Sequence, residues 1–136
     1  MKVFLDTNVL VSAFATRGLC ADLVRHVLAE HELLVGEVVL TELERVLTER
    51  MAVPGRTVAE IEELLRGQTV VPQPPRHLRL GLRDSDDEWV VASAKSGGVE
   101  VLVTGDDDIL AEKQRLPVPV QSPRDFWNSQ RRTGSE

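Results

Sequence analysis

The alternation of short apolar runs with longer amphipathic segments constrains the fold of this 136-residue chain more than any other feature. Five runs of three to six residues are dominated by Val, Leu and similar side chains, and segments with helical periodicity separate them. Runs of that length are typical of buried strands, and the longer 3.6-residue patterns are typical of helices. Strands that alternate with helices indicate an α/β fold with a mainly parallel sheet. We therefore predict a central sheet of four to five strands with helices on both faces.

The predicted elements follow one another along the chain without an internal repeat. Strands are predicted at 1–5, 32–35, 69–71, 99–104 and 118–120. Helices are predicted at 9–15, 21–30, 37–50, 57–66 (with Thr57 as its N-cap), 87–96 and 106–112, and a terminal turn at 125–128. The length favours one domain, over residues 1–128, and the polar segment 129–136 is expected to be a disordered tail.

Negative charge is concentrated in two short segments. The net charge is −6, and seven acids lie in two clusters, Asp84, Asp86, Asp87 and Glu88, then Asp106, Asp107 and Asp108. Such local acidity favours divalent cations and does not exclude a polyanion nearby. The single cysteine, Cys20, excludes an internal disulfide and a multi-thiolate metal site. No uninterrupted apolar run approaches ~18 residues, so we expect neither a signal peptide nor a membrane span, and a cytoplasmic location.

Two acids directly follow predicted strands. Asp6 ends the first strand, and Asp106 follows the strand at 99–104. Because functional groups gather at the carboxyl ends of parallel strands, both side chains should lie at one edge of the sheet. The structural alternatives, a turn residue for Asp6 and a helix N-cap for Asp106, are equally compatible with the sequence.

Glu42 and Asp87 are the other two acids whose positions favour a site. Glu42 lies between Val38 and Val46 on one helical stripe, where an ionised carboxylate needs a cation or a hydrogen-bond donor. A side chain at the margin of the stripe is the alternative. Asp87 opens a helix rich in small residues that can pack close to the sheet. Three acids at 84–87 exceed what one helix cap needs, although first-turn acids also favour the helix dipole.

Four segments together resemble the PIN domain. They are FLDTNVL at 4–10, LTEL at 40–43, DSDD at 84–87 and LVTGDDD at 102–108, and the likeness extends from residue 2 to about 127 in the family's order. The branch that this sequence resembles comprises toxin components related to VapC ribonucleases. The resemblance implies that Asp6, Glu42, Asp87 and Asp106 take the four acidic metal positions. It implies supporting roles for Thr7, Asn8, Asp84, Thr104 and Asp108.

Two positions depart from the family pattern. Gly36 replaces the Ser that often begins the helix of Glu42, which weakens that cap by a few tenths of a kcal/mol. Ser85 stands where Pro is common, so either Asp87 or its neighbour Asp86 can be the ligand.

The chemistry expected from the resemblance is metal-dependent RNA cleavage. Oxygen ligands suit Mg²⁺ or Mn²⁺, which would activate a water to give a 5′-phosphate and a 3′-hydroxyl. The histidines and the cysteine show no pairing typical of metal-free catalysis, and structural or solvated roles are favoured for His26, His31, His77 and Cys20. Arg76, Arg79 and Arg83 can contact RNA phosphates or form a solvated loop face. Few aromatics predict recognition of the RNA backbone.

We also predict binding partners for this protein and consider two alternative functions. A ribonuclease without an internal switch should be restrained by an antitoxin that places an Arg near Asp87 and Asp106. The resemblance also implies a homodimer. The alternatives are a non-catalytic PIN module that binds RNA or protein, and a phosphoaspartyl phosphatase with Asp6 as nucleophile. The phosphatase is disfavoured because Asn8 stands where a second acid is usual.

Overall fold

Strands and helices alternate along the whole of the chain that the computed structural model describes, residues 1–76 and 78–134. The strands are β1 (Lys2–Leu5), β2 (Glu32–Gly36), β3 (Thr69–Val71), β4 (Val101–Val103) and β5 (Val120–Gln121). The helices are α1 (Thr7–Ala15), α2 (Leu19–Glu30), α3 (Glu37–Glu49), α4 (Gly55–Arg66), α5 (Ser85–Ser96), α6 (Asp107–Ala111) and α7 (Pro123–Gly134), and a 3₁₀ turn covers Lys113–Arg115. Within these residues, no helix has both the length and the apolar character needed to cross a membrane.

The five strands form one parallel sheet in the order β3-β2-β1-β4-β5. Val3, Phe4 and Leu5 are all completely buried. Because successive strand residues point to opposite faces, their burial means that both faces of the sheet are covered. The α/β fold predicted from the sequence is confirmed.

The sheet reverses direction at its central strand. The chain first adds β2 and β3 on one side of β1, and it then crosses to add β4 and β5 on the other. The amide of Asp6 donates to the carbonyl of Val103 at 3.0 Å, so the ends of β1 and β4 stay side by side. Ligands bind open α/β sheets at such a switch point, outside the carboxyl ends of the strands.

Four helices, α1, α2, α4 and α5, begin two residues earlier than their sequence patterns predicted. Asp6 caps α1 and Asp84 caps α5, so these helices start at Thr7 and Ser85. The predicted N-cap at Thr57 is wrong, because the carbonyl of Pro54 already accepts the first bond of α4, from the amide of Val58 at 3.0 Å. A preceding proline residue thus begins this helix without a side-chain cap.

The C-terminal segment is helical beyond the predicted turn. Helix α7 continues to Gly134, so a disordered tail is wrong for residues 129–134, and 135 and 136 lie outside the described residues. Phe126 is fully buried, and the Ser129 hydroxyl donates to its carbonyl at 2.8 Å. Packing of α7 against α2 therefore stabilises a segment whose polar composition predicted a loop.

Two of the histidines meet at the contact between α2 and α7. His31 Nε2 lies 2.8 Å and His26 Nε2 3.3 Å from the Oε1 atom of Gln130, and the two rings are 5.1 Å apart. The sequence showed no pairing of these residues because Gln130 is a hundred positions away along the chain. Cys20 is partly buried in the first turn of α2. His77 lies outside the described residues.

Gly36, at the junction of β2 and α3, has no room for a side chain. A Cβ atom there would lie 2.9 Å from Cζ of Phe4 and 3.4 Å from Cβ of Ser93. Phe4 is fully buried, so its ring cannot move aside freely. The missing cap at the start of α3 is therefore a consequence of close packing between β1, β2 and α5.

We predict that Gly36→Ser lowers the free energy of unfolding by about 1–2 kcal/mol, because overpacking outweighs the gain of a cap. Urea denaturation of the purified variant measures this. Gly55→Ser is the matched control, since Gly55 begins α4 and a Cβ there meets nothing within 4 Å. A Gly36→Ser protein as stable as the original would contradict the packing argument.

Candidate metal centre

A cavity of about 390 Å³ opens at the carboxyl ends of β1 and β4, between α1 and α3. The four acids predicted as metal ligands all line it, namely Asp6, Glu42, Asp87 and Asp106. Thr7 and Asn8 line it as well. Segments far apart in sequence thus bring their acids to one place, at the switch point of the sheet.

Asp6 is held rigidly at the base of this cavity. Its side chain is only 4% exposed. Oδ1 accepts from the amide of Thr7 at 2.7 Å, and Oδ2 accepts from the hydroxyl of Thr104 at 2.7 Å and from Nδ2 of Asn8 at 3.4 Å. Three donors fix the carboxylate, so Asp6 is both the cap of α1 and an acid of the cavity.

The predicted supporting residues connect the acids to one another. The Thr104 hydroxyl donates to Asp6 and accepts from the amide of Asp106 at 3.0 Å. Oδ1 of Asn8 accepts from the amide of Gly105 at 2.9 Å, which ties α1 to the loop after β4. The Thr7 hydroxyl donates to Oε2 of Glu42 at 3.3 Å. These bonds fix the relative positions of β1, β4 and α3.

Glu42 lies on a half-buried stripe of α3. The fully buried side of this helix carries Val39, Leu40, Leu43 and Leu47. Val38 and Val46, four residues to either side of Glu42, are half-buried and line cavities. The carboxylate is therefore beside the core and not within it, and Thr7 is the hydrogen-bond donor that the sequence argument required.

The tightest group of carboxylates differs from the predicted set of four. One oxygen each from Asp87, Asp106 and Asp108 lie within 4.8 Å of one another. The N-cap interpretation of Asp106 is also correct, because its Oδ1 accepts from the amides of Asp108 and Ile109 at 2.9 and 3.1 Å. Capping by one oxygen of Asp106 leaves a role for the other in binding a cation.

The structure separates the three acids at the start of α5. Asp84 caps the helix by accepting from the amide of Asp86 at 2.9 Å. Asp87 lines the acidic cavity, whereas Asp86 lines a second cavity on the other side of Glu42. Successive helix residues point about 100° apart, so only one of the two can lie beside Asp106. In this arrangement it is Asp87.

The acids destabilise one another electrostatically. Burial, opposed by the hydrogen bonds of Thr104 and Thr7 and reinforced by Glu42 and Asp106, raises the pKa of Asp6 to about 6. Burial and then the charges of Asp106, Asp6, Asp84 and Asp108 raise the pKa of Asp87 to about 7. Among the described residues, no salt bridge reaches these carboxylates. An uncompensated set of oxygen donors fits a hard divalent cation such as Mg²⁺ or Mn²⁺.

We predict that the metal-free protein loses stability as the pH rises from about 4 to about 7. Folding raises both pKa values above the ordinary 3.8, so as the pH rises the unfolded chain releases these protons first, which favours unfolding. The loss is about 3 kcal/mol for buried Asp6, and smaller for the partly exposed Asp87 because solvent screens it. Urea denaturation in a chelator measures it. An Asp6→Asn/Asp87→Asn control that loses as much stability would contradict this origin.

Glu88 belongs to the first acidic cluster, but its burial was not predicted from the sequence. It is 7% exposed, and its Oε2 accepts from the amides of Leu80 and Leu82 at 2.5 and 3.4 Å. These bonds anchor the loop before α5, which carries the predicted RNA-binding arginines Arg76, Arg79 and Arg83. The three arginines are exposed and line neither cavity. The signal in the sequence was the alternation of three leucines, Leu78, Leu80 and Leu82, with polar residues and glycine in this loop.

The chain matches a known protein family in sequence. The sequence profile of a family described as the PIN domain matches residues 2–108. No curated protein matches the chain in sequence.

The solved structures that the chain resembles have low sequence identity to it. VapBC2 from Rickettsia felis, bound to a DNA fragment from its promoter, is 15% identical with a TM-score of 0.66, over 90% of this chain and 98% of that one. DNA-bound VapBC from Salmonella typhimurium is 22% identical with a TM-score of 0.64 and the same coverage. FitAcB from Neisseria gonorrhoeae is 16% identical with a TM-score of 0.60, over 89% and 97%. At these identities the likeness establishes a shared fold.

Proposed function

The chain belongs to the PIN domain family, and we propose on that premise that it is a Mg²⁺- or Mn²⁺-dependent endoribonuclease that acts as the toxin of a toxin–antitoxin pair. The observation that carries the proposal is the group of three carboxylate oxygens, from Asp87, Asp106 and Asp108, within 4.8 Å at the switch point. The capping bonds of Asp106 explain why an acid begins α6, but they do not explain why Asp87 and Asp108 lie so close to it.

The acids of this site and their hydrogen-bond partners each have a part in this proposal. Asp87, Asp106 and Asp108 would hold the ion, and Asp6 and Glu42 would bind a second ion or its waters. When bound, the ion supplies activation of a water for attack on phosphorus and stabilises charge on the leaving oxygen. Thr104 and Thr7 hold Asp6 and Glu42 in position by their hydroxyl hydrogen bonds. Second-shell bonds of this kind orient metal ligands and are worth about 10–100-fold in activity or metal affinity.

The geometry disfavours a phosphoaspartyl phosphatase. A nucleophilic carboxylate must be open to its substrate, whereas Asp6 is 4% exposed and both of its oxygens accept hydrogen bonds. A non-catalytic binding module is the remaining rival. It would have no need for acids whose pKa values are raised by burial and by neighbouring carboxylates.

A cleavage assay separates these functions. The purified chain is incubated with a single-stranded RNA of mixed sequence and Mn²⁺, with and without a chelator, and with DNA of the same sequence as the matched substrate. We expect RNA cleavage with 5′-phosphate and 3′-hydroxyl ends, and none with the chelator. RNA binding without cleavage identifies a binding module, and cleavage that survives the chelator contradicts the metal-dependent mechanism.

An antitoxin would restrain the activity in the cytoplasm, where we propose that the protein acts. Besides the acids, the lining of the 390 Å³ cavity includes the apolar side chains of Val11, Val46 and Met51, together with Ser12, Thr16 and Arg50. A partner segment with apolar side chains fits this apolar part of the lining, and its Arg would pair with Asp87 and Asp106 in competition with the cation. The family resemblance also supports a homodimer, which light scattering would measure.

The partner is tested by co-purifying the chain with the product of the neighbouring open reading frame and titrating Mg²⁺. We expect a complex whose cleavage is slow at low Mg²⁺ and recovers as the ion displaces the arginine. A tight complex that cleaves as fast as the free chain at every Mg²⁺ concentration contradicts inhibition at the metal centre.

A further inference from the structure

A second cavity, of about 220 Å³, lies between α3 and α5 on the other side of Glu42 from the acids. Glu42 lines both cavities and forms the wall between them. Val38, Val90 and the half-buried Trp89 give the second cavity apolar surfaces. Its polar lining includes Arg45, Gln73 and Asp86. A concave apolar surface with a few polar groups is the usual form of a small-ligand site.

Besides Glu42, which accepts from Thr7, two charged groups of this cavity have no partner within the part of the chain that the structure describes. Arg45 and Asp86 are exposed, and no ion pair or side-chain hydrogen bond there uses the guanidinium of one or the carboxylate of the other. One carries donors and the other carries acceptors, so the cavity can satisfy both kinds of group on a ligand.

We propose that the second cavity binds one unpaired nucleobase of the RNA substrate, beside the phosphate that is cut at the acidic cavity. This inference rests on the proposed function, because the shared wall at Glu42 places the base site next to the cleavage site. A base is a flat apolar ring that stacks on an aromatic side chain, and its polar edge offers both donors and acceptors. Trp89 provides the aromatic surface, Arg45 and Gln73 provide donors, and Asp86 provides an acceptor.

A nucleobase fits these residues better than a phosphate does. Asp86 and Glu42 contribute two carboxylates to the lining, and these repel a phosphate while they accept from the N–H groups of a base. Trp89 is also the aromatic side chain next to the acids. Phe4 and Phe126 are buried in the core, and Phe14 of α1 is partly buried against it and lines neither cavity. Trp127 packs near His26 at the contact of α2 with α7. If this base site exists, the protein recognises one base in addition to the RNA backbone, whose recognition was predicted from the low aromatic content.

Binding is measured by fluorescence in the Trp127→Phe variant, in which Trp89 is the single tryptophan. The probes are short single-stranded RNAs in Ca²⁺, which is expected to support binding without cleavage, and each probe has one abasic position in turn. We expect the full RNA to quench Trp89, and removal of the base at one position to weaken binding about tenfold, the magnitude typical of a stacked base.

Variants assign that loss to the cavity. Binding to the variants is followed by the fluorescence anisotropy of end-labelled RNA, which does not need Trp89. In Arg45→Gln and Trp89→Ala proteins the abasic substitution should weaken binding little further, because the base contact is already absent. Arg56→Gln is the matched control, since Arg56 is an exposed arginine of α4 that lines neither cavity. Arg45 is exposed, so its substitution keeps the test valid if Trp89→Ala fails to fold.

The outcomes separate this inference from the proposed function. If the protein shows metal-dependent cleavage but no abasic position weakens RNA binding, the base site alone is overturned. The same holds if the abasic position weakens binding equally in Arg45→Gln. Quenching that depends on one base in a protein that does not cleave RNA supports the base site and contradicts the ribonuclease. Loss of a protein partner in Arg45→Gln with unchanged RNA binding assigns the cavity to that partner and overturns the inference.

Discussion

Asp6→Asn lowers the rate of Mn²⁺-dependent RNA cleavage by at least about a hundredfold, because loss of a carboxylate that binds the ion or its waters should cost no less than loss of a hydrogen bond that only orients such a carboxylate. The change keeps the shape of the side chain and removes one negative charge from the cavity. Rates are measured under single-turnover conditions with saturating Mn²⁺. The same rate in the variant, at equal purity, would contradict the assignment of Asp6 to the metal centre.

The loss of activity in Asp6→Asn is expected without a loss of fold. A buried carboxylate with a pKa raised to about 6 destabilises the metal-free protein at pH 8, so an amide there should give a melting temperature at least as high. Its Oδ1 can still accept from the amide of Thr7. Asp107→Asn is the matched control, because Asp107 is exposed and adjoins Asp106 without joining the three-carboxylate group. It should cleave RNA at nearly the original rate.

Mn²⁺ stabilises the folded chain by about 2.7 kcal/mol when its concentration is a hundredfold above the dissociation constant, because the ion binds the native site and not the unfolded chain. For a domain of this size that corresponds to a rise of roughly 7–11 °C in melting temperature. Differential scanning calorimetry at pH 8, where the carboxylates are ionised, measures the effect.

Glu42→Gln should reduce this rise, since it removes one charge of the cavity. Glu44→Gln is the control on the same helix, because Glu44 is exposed and does not line the acidic cavity. A melting curve that is indifferent to millimolar Mn²⁺ contradicts a preformed site. An equal reduction in both variants would indicate a general effect of charge and not a ligand at position 42.

Much of the fold followed from the sequence because it depends on local periodicity. A parallel α/β sheet could be predicted from the apolar runs at β1, β2 and β3 and the amphipathic pattern of α3. In such a sheet the residues that follow the strands lie at one edge, so the position of these residues could be predicted too. Asp6 and Asp106 were placed together by this reasoning alone. Helix α7 was missed because its stability comes from Phe126 and Gln130 packing against α2, and the local sequence carries no sign of that contact.

The sequence by itself thus determined which edge of the sheet would carry the acids, and the tertiary structure decided which of them share one cavity. Adjacent acids such as Asp86 and Asp87 differ only in direction around α5, and that rotation is fixed when its small residues pack against the sheet. The same packing brings Asp108 into the group with Asp87 and turns Trp89 toward the second cavity. Side-chain direction on a helix changes by about 100° per residue. A site formed by several helices therefore depends on the rotation of each helix about its axis, which packing against the sheet fixes.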